Sequence, residues 1–147
     1  MKMTAEATES QLAPTREDIA ESLRRHGVTP THQRIEIAQV LFERRQHLSA
    51  DQLLALVNAR DAKTSKATVY NTLRLFLDKH LVRELIVDPC KIFYDSNTSD
   101  HHHFYDVASG RLTDIPAEQI RLQGLPPLPA GTVADGVDII IRTRPCG

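Results

Sequence analysis

The sequence predicts an α+β fold, with helices in the front part of the chain and short strands behind them. Two observations support this prediction. Apolar residues recur at helical spacing up to about residue 80, and from residue 81 they alternate with polar ones. The composition, 41% hydrophobic and 25% charged over 147 residues, is that of a folded chain with one domain or two small ones.

Four helices are predicted in the front part, because each apolar repeat follows a helix-capping residue. The capping residues are Thr15, Thr31, Ser49 and Ser65. The first helix runs through Leu23, and Asp18 and Gln52 stand where they complete capping boxes in the first and third helices. The residues predicted to be buried on the other three helices are Ile35, Ala38, Leu41, Phe42, Leu53, Leu56, Val57, Val69, Leu73, Phe76 and Leu77.

A β-hairpin is predicted directly after the fourth helix. The stretch LVRELIVDPCKIFYD, residues 81–95, alternates on both sides of a turn over Asp88-Pro89-Cys90-Lys91. Helices followed by such a hairpin are the outline of a winged helix-turn-helix. In that module the last helix enters the major groove of DNA and the hairpin lies along the backbone.

The back part is predicted to hold three short strands and one helix. HHHFYDV and RLTDI read as strands joined through Ala108-Ser109-Gly110, a helix is predicted from Ala117 to Gln123, and VDIIIRT reads as the final strand after a proline-rich loop. So small a unit cannot bury both faces of its sheet, so we expect it to pair with a second copy.

Charge and cysteine content exclude several classes of protein. The formal net charge is −1, with 12 Lys and Arg against 10 Asp and Glu in residues 1–82 and 6 against 9 in residues 83–147. This split favours a DNA-binding front and a cation-binding back. The sequence has no apolar run long enough for a membrane span and no signal peptide at its start, and its two cysteines lack Cys-x-x-Cys spacing. We therefore expect a cytoplasmic protein without a membrane partner.

The outward face of the fourth helix carries side chains suited to DNA. It offers donors for phosphates, an aromatic ring for thymine methyl groups and an amide for base edges. The candidate DNA-binding residues are Lys66, Thr68, Tyr70, Asn71 and Arg74, together with Arg34 on the second helix. The alternative is an ordinary solvated helix face, which the preceding helices and the following hairpin disfavour.

Three consecutive histidines, His101, His102 and His103, stand between two aspartates. Residues i and i+2 of a strand face the same side, so His101 and His103 can converge on one ion while His102 points away. Such a run is either a metal site or a solvated stretch without function.

Four blocks of the chain resemble the ferric uptake regulator family of bacterial transcription factors. The blocks are GVTPTHQRIEIAQVL, HLSADQL, SKATVYNTLRLF and DHHHFYDVASGRLTDIP, in the family's order. The resemblance implies a winged-helix DNA-binding domain over residues 1–96 and a small α/β domain for dimerisation and metal or haem sensing over residues 97–147. It also implies a homodimer on a palindromic double-stranded operator, with a regulatory metal site at the hinge.

The resemblance also implies the metal ligands. A histidine at the start of the third helix, a carboxylate at the end of the wing, an H-x-H pair and a carboxylate on the next strand make up the hinge site. The matching residues here are His47, Asp95, His101, His103 and Asp114. Imidazoles with carboxylates suit Fe²⁺, Mn²⁺ or Zn²⁺.

The chain also departs from the family pattern. Asp106 and Ser109 stand where most members carry the first of two Cys-x-x-Cys pairs, and the second pair is missing, so no Cys₄ structural zinc is expected. This combination resembles the iron response regulator branch of rhizobia and related bacteria, whose members are haem-responsive. His102, with Asp100 nearby, is the candidate for a haem or second metal site; the alternative is that His102 is merely exposed. A Cys-Pro haem motif is absent.

These observations predict a metal- or haem-responsive regulator, a repressor in type, that controls iron and haem homeostasis genes and is not an enzyme. A metallohydrolase would need an open metal position and a general base, and the chain has no H-E-x-x-H motif. A peroxide sensor of the same fold, in which bound iron drives oxidation of a ligand histidine, is the main alternative. A storage or carrier protein is disfavoured by the face of the fourth helix.

Overall fold

The computed structural model describes residues 13–43, 47–60 and 64–147. The helices are α1 (Arg16–Arg25), α2 (His32–Phe42), α3 (Ala50–Arg60) and α4 (Lys66–Asp78). The strands are β1 (His47–Leu48), β2 (Arg83–Asp88), β3 (Lys91–Asp95), β4 (His101–Asp106), β5 (Leu112–Pro116) and β6 (Ile140–Thr143). This order confirms the predicted α+β fold. Within these ranges no helix combines the length and the apolar character that crossing a bilayer requires.

The predicted helix starts are confirmed by their capping hydrogen bonds. The Thr15 and Asp18 side chains cap each other's backbone N–H groups at the start of α1, and Ser49 and Gln52 do the same before α3. These bonds satisfy backbone donors that have no partner inside the helix. Gly27, at φ +76°, follows the last turn of α1, where the left-handed conformation favours glycine.

The main core lies among the four helices and takes most of the predicted apolar residues. Phe76, Leu53 and Leu73 are fully or almost fully buried there. The prediction that Leu56 is buried is wrong: it is 41% exposed, whereas Leu53 is 0% exposed. Leu53 and Val57 already cover the inward face of α3, and Leu56 lies off that stripe.

The first sheet has the strand order β1-β3-β2 and forms the wing. β2 and β3 are the predicted antiparallel hairpin, and the short β1 pairs with the other side of β3. His47 therefore lies in a strand ahead of α3, not in the helix start that the family pattern implied. In this register His47 stands opposite Asp95.

The second sheet has the strand order β5-β4-β6, with β4 in the centre. β4 pairs antiparallel with β5, as expected from the short turn between them, and parallel with β6. The three histidines His101, His102 and His103 of this central strand are all buried.

Two predictions for the back part are wrong in extent. The helix expected over residues 117–123 is a single 3₁₀ turn, Ala117–Gln119, because seven residues before Gly124 are too few to form an independent helix. The final strand covers only Ile140–Thr143 of the seven predicted residues. Ile139 lies outside it because its N–H group donates to the ring of His102. Residues 120–139 otherwise follow an irregular, mostly exposed course.

Two leucines of α3 test the placement of this helix. Leu53→Ala should lower the free energy of unfolding by about 2–5 kcal/mol, because it leaves a cavity in the core. The matched control Leu56→Ala removes the same atoms from an exposed position and should cost well under about 1 kcal/mol. Denaturant unfolding of both variants measures the difference. Equal losses would mean that α3 presents another face to the core.

Candidate metal centre and nucleic-acid interface

Five side chains predicted as metal ligands meet between the two sheets. Each offers one nitrogen or oxygen atom, and these atoms all lie within 4.8 Å of one another. The five residues are His47, Asp95, His101, His103 and Asp114. The two on the first sheet and the three on the second are far apart in sequence, so only the packing of one sheet against the other brings them together.

Strand register explains how the residues meet. His47 stands opposite Asp95 in the first sheet, and His103 stands opposite Asp114 in the second. Side chains at opposite positions of neighbouring strands project to the same face. His101 precedes His103 by two residues on β4 and shares its face. Each sheet therefore presents imidazole and carboxylate groups to the other.

The two carboxylates lie among the imidazoles at short distances. Asp95 Oδ2 is 2.8 Å from Nε2 of His101, 3.0 Å from Nε2 of His47 and 3.6 Å from Nε2 of His103. Asp114 Oδ1 is 3.0 Å from the same atom of His47 and 3.5 Å from that of His103. The Asp95 side chain is almost fully buried, whereas that of Asp114 is 37% exposed. The cluster is closed on the wing side and reaches solvent beside Asp114.

Two ring nitrogens of His103 and one of His47 are buried without a hydrogen-bond partner. His47 Nε2 is close enough to both carboxylates but is poorly directed for a hydrogen bond with either. Buried polar atoms without partners are costly and rare in folded proteins. Donor atoms that converge without satisfying one another suit a cation at their centre, so the residues present fit a divalent metal ion.

Two outer hydrogen bonds orient the cluster. His101 Nδ1 lies 2.6 Å from the Ser99 carbonyl oxygen, so the ring N–H donates there and Nε2 faces the cluster. The backbone N–H of Asn97 donates to Asp95 Oδ1 at 2.8 Å, which leaves Oδ2 facing inward. Such outer contacts fix the direction of metal-ligating groups.

Charge balance within the cluster shifts two pKa values. Burial by itself would raise the pKa of Asp95, but contacts with His103 and His47 and the Asn97 N–H hold it well below its usual range. Burial by itself would lower the pKa of His47, but Asp95 and Asp114 raise it above its ordinary value. Without a metal ion, a proton on His47 therefore supplies part of the positive charge that the carboxylates need.

His102 does not join this cluster. It is only 9% exposed, and its Nδ1 accepts a hydrogen bond from the Ile139 N–H at 3.1 Å. The alternative that His102 is merely exposed is therefore wrong. Asp100 is exposed and lines a cavity with His80, Asp135 and Asp138, among other residues, and His102 does not line it.

The candidate DNA-binding residues lie on the outer side of α4. Lys66, Tyr70, Asn71 and Arg74 are exposed, and Thr68 is half-buried with its hydroxyl 2.9 Å from that of Ser65. The Lys66 ammonium lies 5.7 Å from the centre of the Tyr70 ring. Four of the five side chains are thus available to a partner.

Acidic groups mark the far end of this face. A shallow groove beside Arg74 is lined in part by Asp78 and Glu84, which would repel phosphates. Arg34, on α2, borders a second groove with Thr68 and Asn71, and its guanidinium donates to the Thr29 carbonyl at 2.8 Å. The part of this face that lies away from Asp78 and Glu84 is therefore the first half of α4, beside the start of α2.

The protein has four helices followed by a wing, and a cluster of imidazoles and carboxylates lies between the wing and a second small sheet. These features are those of a metal-responsive transcriptional regulator. The chain belongs to the ferric uptake regulator family, whose model matches residues 25–124.

Two peroxide-responsive repressors named PerR are similar to this chain. The protein from Staphylococcus epidermidis is 33% identical over 104 residues, which cover 71% of this chain and 69% of that protein. The one from Staphylococcus aureus strain USA300 is 32% identical over 120 residues, or 82% and 78% of the two chains. Among solved structures, the iron-containing ferric uptake regulator of Francisella tularensis has a TM-score of 0.66 at 21% identity and covers 80% of this chain and 92% of its own.

The sequence did not reveal the contacts that hold the cluster from outside. Ser99 and Asn97 act through backbone groups, and a backbone hydrogen bond leaves no mark on the type of the residue that supplies it. The second contact has a signal in Asp95, because an aspartate at a turn commonly accepts from the backbone N–H two residues later.

Adjacent histidines should separate metal binding from folding. His103→Ala removes a side chain with two unpartnered ring nitrogens and should lower Mn²⁺ affinity at least about tenfold. His102→Ala removes the acceptor for the Ile139 N–H and should lower the free energy of unfolding by about 1–3 kcal/mol with Mn²⁺ affinity unchanged. Calorimetric titration and denaturant unfolding measure the two effects. Equal losses of Mn²⁺ affinity would contradict the assignment of faces on β4.

Stabilisation by Mn²⁺ should grow between about pH 6 and pH 8. The pKa of His47 is higher in the folded protein than in the unfolded chain, where it is about 6.5. Protonated His47 therefore stabilises the metal-free protein fully at pH values below about 6.5. This stabilisation is lost as the pH rises through the pKa of His47 in the folded protein. Over the same range a cation has fewer protons to displace from the cluster. The shift in Tm at fixed Mn²⁺ should therefore increase with pH, and less steeply in His47→Gln. A shift independent of pH would contradict competition between the proton and the metal.

Proposed function

We propose that the protein is a homodimeric repressor whose binding to a palindromic operator in iron-homeostasis genes depends on a divalent metal at the cluster between its sheets. The observation that carries the proposal is that the five converging side chains come from two different sheets. His47 and Asp95 come from the sheet that forms the wing, and the other three come from the second sheet.

Because the ligands come from two sheets, a bound ion can control how the wing is positioned on the second sheet. When bound, a divalent cation supplies the positive charge that two buried or half-buried carboxylates need. A ligand shifts a protein toward the conformation that it binds more tightly. Since neither sheet alone offers more than three of the five groups, an arrangement with the sheets face to face binds the ion best. That arrangement fixes the wing relative to the second sheet.

The proposed division of labour follows the two sheets. Residues 1–96 are proposed to bind DNA, because the four described helices and the wing lie within them. Residues 97–147 are proposed to dimerise and to complete the sensing site. Exposed aliphatic side chains in this part support the pairing with a second copy: Leu122, Leu125, Leu128, Val133, Val137 and Ile141.

The donor set limits the choice of metal. Three imidazoles with two carboxylates suit Fe²⁺, Mn²⁺ or Zn²⁺. A structural zinc of the Cys₄ type has no place at the turn after β4, because Asp106 there accepts from the Ala108 N–H and the Ser109 hydroxyl. These two bonds close the turn that the family's cysteines would otherwise organise.

A place in the iron response regulator branch, and with it a haem site at His102, stays a prediction. The Nδ1 of His102 accepts from the Ile139 N–H, so the neutral ring carries its proton on Nε2 and has no lone pair free for haem iron. The cavity beside Asp100 is bordered by Glu84, Asp135 and Asp138, whose carboxylates would repel haem propionates. The residues around His102 and Asp100 therefore do not fit haem in this arrangement.

Peroxide sensing is a second candidate function. The relatives named as peroxide-responsive repressors favour it, as does the burial of His101 and His103 among possible iron ligands. Peroxide would transfer one oxygen atom to an imidazole carbon and leave as water, with iron at the cluster as catalyst. Mass spectrometry after treatment of the iron-loaded protein with peroxide should then show one added oxygen on a peptide that contains a cluster histidine, and none in the Mn²⁺-loaded protein.

Binding of Mn²⁺-loaded protein to DNA tests the main proposal. The protein should select a palindromic sequence from a random duplex library, and removal of Mn²⁺ or the His103→Ala substitution should change the affinity for that sequence. Failure to select any sequence with Mn²⁺, Fe²⁺ or Zn²⁺ loaded would refute the proposed function.

Two residues on α4 should differ in their effects on that selected duplex. Tyr70→Ala should lower affinity for it by about 1–3 kcal/mol and leave scrambled DNA little affected, because the exposed ring can contact bases. Lys66→Ala should weaken binding to both sequences and flatten the dependence on salt. Fluorescence anisotropy at several salt concentrations measures both. Identical behaviour of the two variants would mean that α4 does not lie in the groove.

A further inference from the structure

The wing packs against the second sheet through a small apolar contact that the metal cluster does not include. Residues from β2 and β3 on one side meet residues from β4, β5 and β6 on the other. The buried members are Leu85, Val87 and Tyr105, and Phe93, Leu112 and Ile140 pack against them. Three buried side chains are few for an interface, so this contact leaves the position of the wing open to further restraint.

A charged pair joins the two sheets at the base of the wing. Arg83, the first residue of β2, places Nη2 2.8 Å from Asp138 Oδ1, and its Nη1 donates to the Ser99 carbonyl at 3.0 Å. The pair spans 55 residues of sequence. It is half-buried, with 27% and 42% of the two side chains exposed.

Both members of this pair adjoin residues of the metal cluster. Arg83 stands opposite Asp95 in the β2–β3 register. Asp138 precedes Ile139, whose N–H donates to the His102 ring and whose carbonyl accepts from the His103 N–H at 3.1 Å. The pair therefore joins β2, which pairs with the strand that carries Asp95, to the segment before β6, which pairs with the strand that carries His103.

A second polar contact joins the sheets at the tip of the wing. Lys91, which follows the hairpin turn, donates from Nζ to the Tyr105 hydroxyl at 2.9 Å. Tyr105 is buried and lies two residues after His103 on β4. Its ring belongs to the apolar contact, and its hydroxyl holds the lysine ammonium against the second sheet.

We propose that Arg83–Asp138 and Lys91–Tyr105 act as a clamp that positions the wing on the second sheet for DNA binding, separately from the metal ligands. The proposal rests on the proposed function, since its effect is on operator affinity. Restricting a binding surface to its bound arrangement lowers the entropy lost on association. The four side chains act as positioning residues and lie outside the five-residue metal cluster.

Two asparagine substitutions provide a matched test at the base of the wing. Asp138→Asn breaks the ion pair, and Asp135→Asn removes an equal charge from an exposed residue three positions away. If charge alone mattered, both variants would bind DNA slightly more tightly. The clamp predicts that Asp138→Asn lowers affinity for the selected duplex about three- to fivefold and that Asp135→Asn does not. Asp138→Glu, which keeps the charge, should restore most of the loss.

Tyr105→Phe tests the contact at the tip. It keeps the buried ring and removes only the hydroxyl that accepts from Lys91. Operator affinity should fall about two- to fivefold, and Mn²⁺ affinity by no more than that factor in this variant and in Asp138→Asn, because both ligands favour the arrangement in which the sheets face each other. A fall in Mn²⁺ affinity as large as that in His103→Ala, or unchanged operator affinity in both variants, would overturn the clamp.

Hydrogen exchange separates this proposal from the proposed function. The Ile139 amide and the β2 amides should exchange faster in Asp138→Asn than in Asp135→Asn, whether or not DNA is present. If the wild type selects no DNA sequence but exchange differs as expected, the regulator function fails and the contact between the sheets stands. If exchange is the same in both variants, the pair does not hold the wing and the clamp is wrong.

Discussion

The carboxylate of Asp95 is the group on which the arrangement of the two sheets depends. It ends the wing, it is 3% exposed, and its low pKa means that it carries its charge there. A buried charge must be balanced by nearby groups. The balancing imidazoles come from β1 and from β4, whereas Asp95 itself ends β3. The charge of this one residue therefore holds three separate strands close together. A neutral residue at this position would remove the charged contacts that join the wing to His101 and His103.

The apolar contact between the sheets is correspondingly small. Most of the fully buried apolar side chains lie among the helices, and within the described ranges the buried ones where the wing meets the second sheet are Leu85, Val87 and Tyr105. A large apolar interface would hold the two sheets together whatever occupied the cluster. Since polar contacts hold much of this interface instead, the gain or loss of one ion or one proton changes contacts that the apolar side chains do not replace. This balance makes the interface suitable for regulation.

Local signals in the sequence predicted most of the fold, and distant contacts account for what they missed. Capping residues and apolar spacing were sufficient for the four helices and the hairpin, because these elements depend on neighbours within a few positions. The alternation of His101 and His103 could be predicted for the same reason. The meeting of these residues with His47 came only from the family resemblance, since no spacing rule joins residues more than fifty positions apart. The burial of His102 was missed because its partner, Ile139, lies 37 residues away.

His47 is joined to α3 by only two residues, so it cannot move independently of the helix. Leu48 is buried and Ser49 is tied to the first turn of α3 by its capping bonds, so the imidazole and the helix form one rigid piece. α3 in turn packs through Leu53 and Val57 into the core that holds α4. A displacement of the His47 imidazole would therefore move α3 and the helices packed against it, because no flexible loop separates the two. Asp114, on a strand at the sheet's edge and in contact with solvent, has room to adjust without moving any helix. An ion of the wrong size would therefore have unequal effects on the two sides of the cluster. A shift of His47 would move the helices, whereas a shift of Asp114 would remain local.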